Sequence, residues 1–142
     1  MGYDFILFRM RQKPASCPSR MPPDFGAESV IPIDDPVPLH DAVRASPVFA
    51  PDTVTFDGPR LVWHTPDGGT LDVRVMAQGI NIDTHAHWDH VAQVFDLAST
   101  IWPETALFDL QAALVHDAAS FRAFVVRTYR DTPGTREAAP DD

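Results

Sequence analysis

Residues 84–90 have the sequence THAHWDH, which places three histidines and one aspartate within seven positions. His85, His87 and His90 offer imidazole nitrogens, and Asp89 offers a carboxylate. Both groups bind zinc well, and a zinc ion with an open coordination position polarises a water molecule for hydrolysis. These four residues could therefore form a hydrolytic metal site, provided that the neighbouring elements direct them towards one another.

The segment THAHWDHVAQVF resembles the metallo-β-lactamase superfamily, whose H-x-H-x-D-H signature lies on a loop between a strand and a helix. The resemblance covers about a dozen residues of 142. It implies that His85 and His87 bind a first zinc ion, that Asp89 and His90 bind a second, and that the protein is a hydrolase. The family completes its site with a further histidine, a bridging aspartate and a last histidine, whereas only His116 follows His90 here.

The residues that follow the motif predict an amphipathic helix. Apolar side chains recur at helical spacing, and Pro103 is expected to end the helix because proline cannot continue it. The stripe consists of Trp88, Val91, Phe95, Ala98 and Trp102, joined by Val94 and Ile101. Burial of this stripe would fix the rotation of the first helical turn.

That rotation favours a second interpretation of the motif, in which it is a helix N-terminus rich in histidine. If Thr84 or Asp83 caps a helix that begins at or before His87, a turn of ~100° per residue directs His85 and Asp89 to solvent. His87 would then point towards the core. Because such ligands diverge, we predict no metal cofactor, and zinc is the alternative.

The remaining patterns predict an α+β domain. Residues 3–10 read as a buried strand, residues 60–77 as a hairpin with a PDGG turn, and INID as the strand before the motif. TALFDLQ predicts one more strand and residues 116–131 a closing helix. We therefore expect an antiparallel or mixed sheet with two helices packed on one face.

The segment 11–51 contains nine of the 14 prolines. Proline at this density is expected to prevent both a continuous helix and a central strand, so we predict a long irregular excursion. Such an excursion is either a binding surface or a packed coil without a role. The whole of 1–130 is expected to be a single domain, and the polar residues 131–142 a flexible tail.

Charge indicates the class of partner. The formal net charge is −9, with 11 Lys and Arg against 20 Asp and Glu. Such a surface repels nucleic acids and anionic membranes and complements a basic protein. A single cysteine, Cys17, the start MGYDFILFRMRQK without a basic leader, and the lack of a window of ~20 apolar residues predict a cytoplasmic location without a membrane span.

A second resemblance concerns the layout of the chain. The opening MGYDFILF, an acidic middle interrupted by prolines, a hairpin, the helix DTHAHWDHVAQVFDLA and then ALFDLQ resemble small bacterial proteins encoded as immunity partners of secreted toxins. The resemblance implies a non-catalytic domain that binds and neutralises a toxin. The candidate contact residues lie in the DDP and PLHD segments: Asp34, Asp35, His40 and Asp41. The sequence leaves the oligomeric state open.

Overall fold

The computed structural model describes residues 2–130, which form eight strands and three α-helices. The predicted tail 131–142 lies outside the described residues. In chain order the elements are β1 (Tyr3–Arg9), β2 (Ser19–Arg20), α1 (Val37–Ala45), β3 (Val54–Asp57), β4 (Arg60–His64), β5 (Thr70–Met76), β6 (Gly79–Thr84), α2 (Trp88–Ile101), β7 (Thr105–Asp109), β8 (Leu114–His116) and α3 (Ala118–Arg130). Short 3-10 turns occur at Ala27–Ser29 and Pro51–Thr53.

All eight strands belong to one antiparallel sheet in the order β2-β8-β7-β1-β6-β5-β4-β3. The predicted hairpin is the β4–β5 pair, and β6 continues it as a meander. The first strand lies in the middle, between β6 and β7, because Phe5 and Leu7 are fully buried. The α+β architecture expected from the sequence is confirmed.

The helices cover one side of the sheet, which we call the inner face. There α2 lies between α1 and α3 and also packs against β6 and β7, while α3 packs against β7 and β8. Alternate side chains of the strands complete this core, as the period of two requires. Its largest fully buried members are Trp63, Phe5, Phe95, Phe121, Leu7, Leu39, Leu61, Leu71, Ile80, Ile82 and Leu107.

The helix that follows the motif ends where its sequence predicts, but it begins at Trp88, after the expected start at or before His87. Val91, Phe95 and Ala98 are almost completely buried, while Trp88 at the start is half-buried. The helix ends at Ile101, and the backbone N–H of Trp102 donates to the carbonyl of Ala98 as the C-terminal cap. Burial of this stripe fixes the rotation of α2 and therefore the direction of every polar residue on it.

The predicted irregular excursion requires a correction, because its residues 37–45 form α1. Two prolines flank the start of this helix, Pro36 at the N-cap and Pro38 in the first turn. The first-turn N–H groups of a helix have no intrahelical partner, so proline there removes no hydrogen bond. Leu39 and Val43 turn inward and are buried in the core.

Two other short elements, β2 and β8, were also not predicted from the sequence patterns. They pair with each other at the edge of the sheet, with Ser19 opposite Val115 and Arg20 opposite Leu114. Strands of two and three residues are too short to show an alternating pattern. Their pairing ties the proline-rich segment to the domain.

Candidate functional site

The four residues of the alternative, zinc-binding interpretation line one cleft. The cleft has a volume of about 540 Å³ and lies where the β4–β5 turn, the segment after β6 and the end of α3 meet. We call it the histidine cleft; its lining residues are Asp67, Gly68, Gly69, His85, Ala86, His87, Asp89, His90 and Tyr129. The motif is thus concentrated at one place on the surface, together with an aspartate that the sequence analysis did not single out.

Helix α2 begins directly after His87, which is its N-cap residue. The backbone of His87 is extended, with φ −60° and ψ 140°, and its Nδ1 accepts the backbone N–H of Asp89 at 3.0 Å. The predicted caps were Thr84 and Asp83, and that prediction is wrong. Both belong to β6, and the Thr84 hydroxyl instead accepts the N–H of Ala86 at 3.0 Å, holding the turn between strand and helix.

The other N–H groups at the start of α2 are also satisfied. The N–H of His87 donates to Oδ2 of Asp67 at 3.0 Å, and that of Trp88 to the Tyr129 hydroxyl at 3.2 Å. The N–H of His90 reaches the carbonyl of His87 at 3.0 Å. A helix N-terminus binds anions through unpaired N–H groups. Since residues from three elements already occupy these groups, the cleft is built as a helix cap.

Asp67 connects the β4–β5 turn to the motif. Its carboxylate accepts the hydroxyl of Thr65 and the backbone N–H groups of Gly69 and His87. Burial acts to raise the pKa of Asp67, but these hydrogen bonds outweigh it and hold the pKa below its usual value. The carboxylate therefore stays ionised and faces Nε2 of His90 at 3.7 Å.

The glycines after Asp67 allow the close approach between turn and motif. Gly68 has a φ of +86°, in the left-handed region that favours glycine. A Cβ on Gly69 would lie 2.7 Å from the Cα of Ala86. The PDGG sequence is the signal that could have revealed this arrangement, because it predicts the turn although not what the turn contacts.

His87 and His90 differ in burial, and the direction predicted for His87 is wrong. His87 was expected to point into the core, but its side chain is 33% exposed and its ring stacks on Tyr129 with centroids 3.7 Å apart. His90 is the more buried, with 16% exposure and its ring edge-on to Trp63. The helical wheel does not apply to His87, because an N-cap residue lies outside the helix.

The outer members of the motif face solvent, as the sequence predicts. The side chains of His85 and Asp89 are 49% and 64% exposed. Nε2 of His85 lies 3.9 Å from the carboxylate of Asp83, and Asp89 lies 3.6 Å from Nδ1 of His87. Neither side chain forms a hydrogen bond or an ion pair with Asp67.

The arrangement does not fit the zinc site that the signature implies. Within residues 2–130 no three side chains of the His, Cys, Asp or Glu type are placed to share a metal ion. Nδ1 of His87 is occupied by a backbone N–H, and Nδ1 of His90 lies 2.9 Å from the side-chain oxygen of Gln93. The residues that line the cleft therefore act as helix caps and hydrogen-bond partners in this structure.

The predicted partner contacts lie at the start of α1, with one correction. Asp34, Asp35 and Asp41 are exposed; Asp35 accepts the N–H of Val37 at 2.9 Å, and Asp41 pairs with Arg44. His40 is only 5% exposed, with its ring 5.0 Å from that of Phe56, so it is not available for contact. Burial, followed by the charge of Arg44, lowers the pKa of His40.

A buried polar cluster in the core was not predicted. The Tyr3 hydroxyl donates to Oδ1 of Asp109 at 2.8 Å, and Nδ1 of His116 lies 2.9 Å from the Ser120 hydroxyl. Asp109 and His116 are fully buried, and their second side-chain atoms, Oδ2 and Nε2, lack hydrogen-bond partners among residues 2–130. Burial lowers the pKa of His116, so the ring stays neutral.

Neither Ser120 nor Cys17 is arranged as a nucleophile. The Ser120 hydroxyl accepts the N–H of Asp117, and Asp117 in turn accepts the N–H of Ser120, which caps α3. Burial, and then the charge of Asp117, raise the pKa of the Cys17 thiol. A thiol with a raised pKa is the less reactive protonated form.

Within residues 2–130 no helix combines the length and the apolar character needed to cross a bilayer. Comparison of the chain with protein-family models, curated proteins and solved structures finds no match. Any function proposed for this chain therefore rests on its own residues and their geometry.

Proposed function

We propose that this chain is a non-catalytic protein-binding domain with a basic partner. In its sharpest form it is a bacterial immunity protein that neutralises a cognate toxin by binding it. The observation that carries the proposal is the group of exposed carboxylates before and within α1, Asp34, Asp35 and Asp41, in a chain of net charge −9. Complementary charge accelerates encounter with a basic protein and disfavours acidic competitors.

The histidine cleft supports a binding role more than a catalytic one. Its polar atoms are engaged in closing the start of α2, as described for Asp67, His87 and Tyr129. A general base or metal ligand needs an atom directed at substrate. The proposal includes a cytoplasmic location, which agrees with a single cysteine, and excludes nucleic acid and membrane as partners on the basis of charge.

A growth-protection assay tests the function. The chain is expressed together with each secreted toxin encoded beside its gene, and we expect survival only with the cognate toxin. If the chain protects against none of these toxins, the immunity function is contradicted. Binding of the purified toxin should slow as salt rises, since electrostatic steering is screened within about 8 Å at physiological salt.

Variants that neutralise these aspartates test whether they belong to the contact surface. The triple variant Asp34→Asn, Asp35→Asn, Asp41→Asn should lower the association rate about tenfold at low salt and flatten its salt dependence. Asparagine at position 35 can still accept the N–H of Val37, so the fold should be unaffected. The matched control, Asp24→Asn, Glu28→Gln, Asp52→Asn, removes equal charge from exposed residues elsewhere. Equal association rates for the two variants would place the contact surface elsewhere.

The second candidate is a metal-dependent hydrolase, and one observation favours it. All four residues of the signature, His85, His87, Asp89 and His90, line a single cleft. Elemental analysis of protein purified without chelators or metal-affinity resin distinguishes the two functions. We expect no stoichiometric zinc. One or two zinc ions per chain that are lost in His85→Ala would establish the hydrolase instead.

A further inference from the structure

The side of the sheet opposite the helices, which we call the outer face, is only partly covered. Over β7 and the end of β1, Phe8 and Phe108 pack with Met21 and Phe25 from the proline-rich segment. Among the helices of residues 2–130, only α2 packs extensively against β1, β6, β5 or β4, and it does so on the inner face. A sheet normally buries a face against another layer or presents polar residues to water.

Three aspartates cross this uncovered area in one row. In the strand register Asp4 is directly opposite Asp83, and Asp83 is directly opposite Asp72. Like charges directly opposite each other on neighbouring strands destabilise a sheet. Asp72 is compensated by Arg60, whose Nη2 lies 2.8 Å away. The row therefore sets like charges opposite one another that the fold compensates only in part.

The other two carboxylates lack such compensation. Among residues 2–130 the one ion-pair partner of Asp83 within 4 Å is His85, at 3.9 Å and charged only when protonated, while Arg74 lines the same depression without an ion pair at that distance. Asp4 has no ion pair within 4 Å among residues 2–130. A cationic side chain from another molecule would relieve this repulsion, so the row favours a basic occupant.

Two adjoining depressions give the uncovered area its shape. The first, of about 360 Å³, contains the three aspartates together with Arg74 and Leu110. The second, of about 400 Å³, contains Phe8 and Met76. They share Ile6 and Asn81, and the exposed fractions of Leu110 and Met76 are 44% and 47%. Acidic and apolar contacts are thus offered side by side, an arrangement that suits one amphipathic partner segment.

We propose that the uncovered outer face is the main docking surface for the basic partner protein. The partner places a lysine or arginine between Asp4 and Asp83 and an apolar side chain on Phe8 and Met76. Asp4 and Phe8 are four residues apart on β1, about 13 Å along the strand. An extended partner segment therefore needs its basic and apolar residues about four positions apart. This inference rests on the proposed function.

The acidic start of α1 borders the same surface. The N–H of Ile33 donates to the carbonyl of Ala77 at 2.8 Å, which holds the segment before Asp34 and Asp35 against the β5–β6 turn. Ala77 also lines the second depression. The exposed carboxylates at α1 are thus placed to attract the partner, and the outer face to hold it.

A peptide titration tests the surface without knowledge of the partner. The ¹⁵N-labelled full chain is titrated with acetyl-Arg-Ser-Gly-Ser-Leu-amide, and the control peptide carries Glu in place of Arg. We expect saturable shifts of backbone amides in β1, β5 and β6 with the first peptide only. Asp4→Asn with Asp83→Asn should weaken binding at least fivefold, and so should Met76→Ser. The pair Asp24→Asn and Glu28→Gln should leave it unchanged.

The outcomes separate this inference from the proposed function. Asp4→Asn with Asp83→Asn should be at least as stable as the original chain, since it removes opposed like charges, so lost binding cannot be assigned to unfolding. No saturable shift, or shifts confined to α1 or the histidine cleft, would overturn the docking surface even if growth protection succeeds. Shifts of the same amides on dilution, or on deletion of residues 131–142, would assign the face to a second copy or to the chain itself and equally overturn it.

Discussion

His87 is the N-cap residue of α2, a position more often occupied by serine, threonine or aspartate. Its Nδ1 accepts the N–H of Asp89, and its ring is held by stacking on Tyr129. The two neighbouring N–H groups are satisfied by Asp67 and Tyr129, from distant parts of the chain. At the residue scale, the THAHWDH motif resembles a metal signature, but His87 forms a helix cap there together with Asp67 and Tyr129.

The capping role of His87 predicts that alanine substitution lowers the free energy of unfolding by different amounts at His87 and His85. His87→Ala should lower the free energy of unfolding by about 1 kcal/mol, because it removes a helix cap. His85→Ala should change it by less than about 0.5 kcal/mol, because that side chain is half exposed. Urea unfolding at pH 7.5 measures both, and His87→Asp should recover most of the loss. Equal costs for the two alanine variants would refute the capping role.

At the element scale, α1 is the helix that packs the proline-rich segment 11–51 against the core. Its prolines occupy the start, where they cost no hydrogen bond, and its buried residues close the end of the core beside β3 and β4. Arg44 lies over the ring of Phe56, with its guanidinium carbon 4.1 Å from the ring centroid. The helix therefore places the exposed aspartates on a fixed scaffold.

Two residues in the first turn of α1 test this packing. Leu39 is fully buried, whereas Val37 is 49% exposed at the first position of the helix. Leu39→Ala should lower the free energy of unfolding by about 2–4 kcal/mol, through lost burial and the cavity left behind. Val37→Ala should change it by less than about 0.5 kcal/mol. A mild effect of Leu39→Ala in thermal or urea unfolding would mean that α1 is not packed as described.

At the scale of the whole molecule, two buried histidines make stability depend on pH. His40 lies in α1 and His116 on β8, and burial lowers the pKa of both. For His116, the charges of Asp109 and Asp117 oppose this effect and that of Arg127 adds to it. Each ring is neutral in the folded protein but takes up a proton in the unfolded chain below about pH 6.5.

The sign of the effect follows from proton uptake. Because the unfolded state binds more protons, stability is fully present above about pH 6.5 and falls as the pH drops below it, by at most about 1.4 kcal/mol per pH unit for each histidine. Urea unfolding between pH 8 and pH 5 measures the slope. His40→Gln and His116→Gln should each reduce it. A flat profile in the original chain would show that neither ring is kept neutral by folding. The lowered pKa of Asp67 acts only at lower pH, below about 4.

The sequence by itself determined the α+β class, the central strand β1, the β4–β5 hairpin, α2 and α3. Their signals are local: alternation in strands, a stripe of apolar residues such as Val91, Phe95 and Ala98 in α2, and a proline after the helix. The same patterns predicted the exposure of His85 and Asp89. Local periodicity is sufficient where one face of an element is buried along its whole length.

Only the tertiary structure decided the features that depend on distant partners. The helix cap joins Asp67 and Tyr129 to His87 across 20 and 42 positions of sequence, and no local pattern encodes those contacts. These contacts surround the start of α2, where His87 is the N-cap and lies outside the helix. For that reason the direction predicted for the His87 side chain from helical rotation was wrong. The inward turn of His40 and the aspartate row on the outer face likewise follow from packing and strand register, which are set by the whole fold.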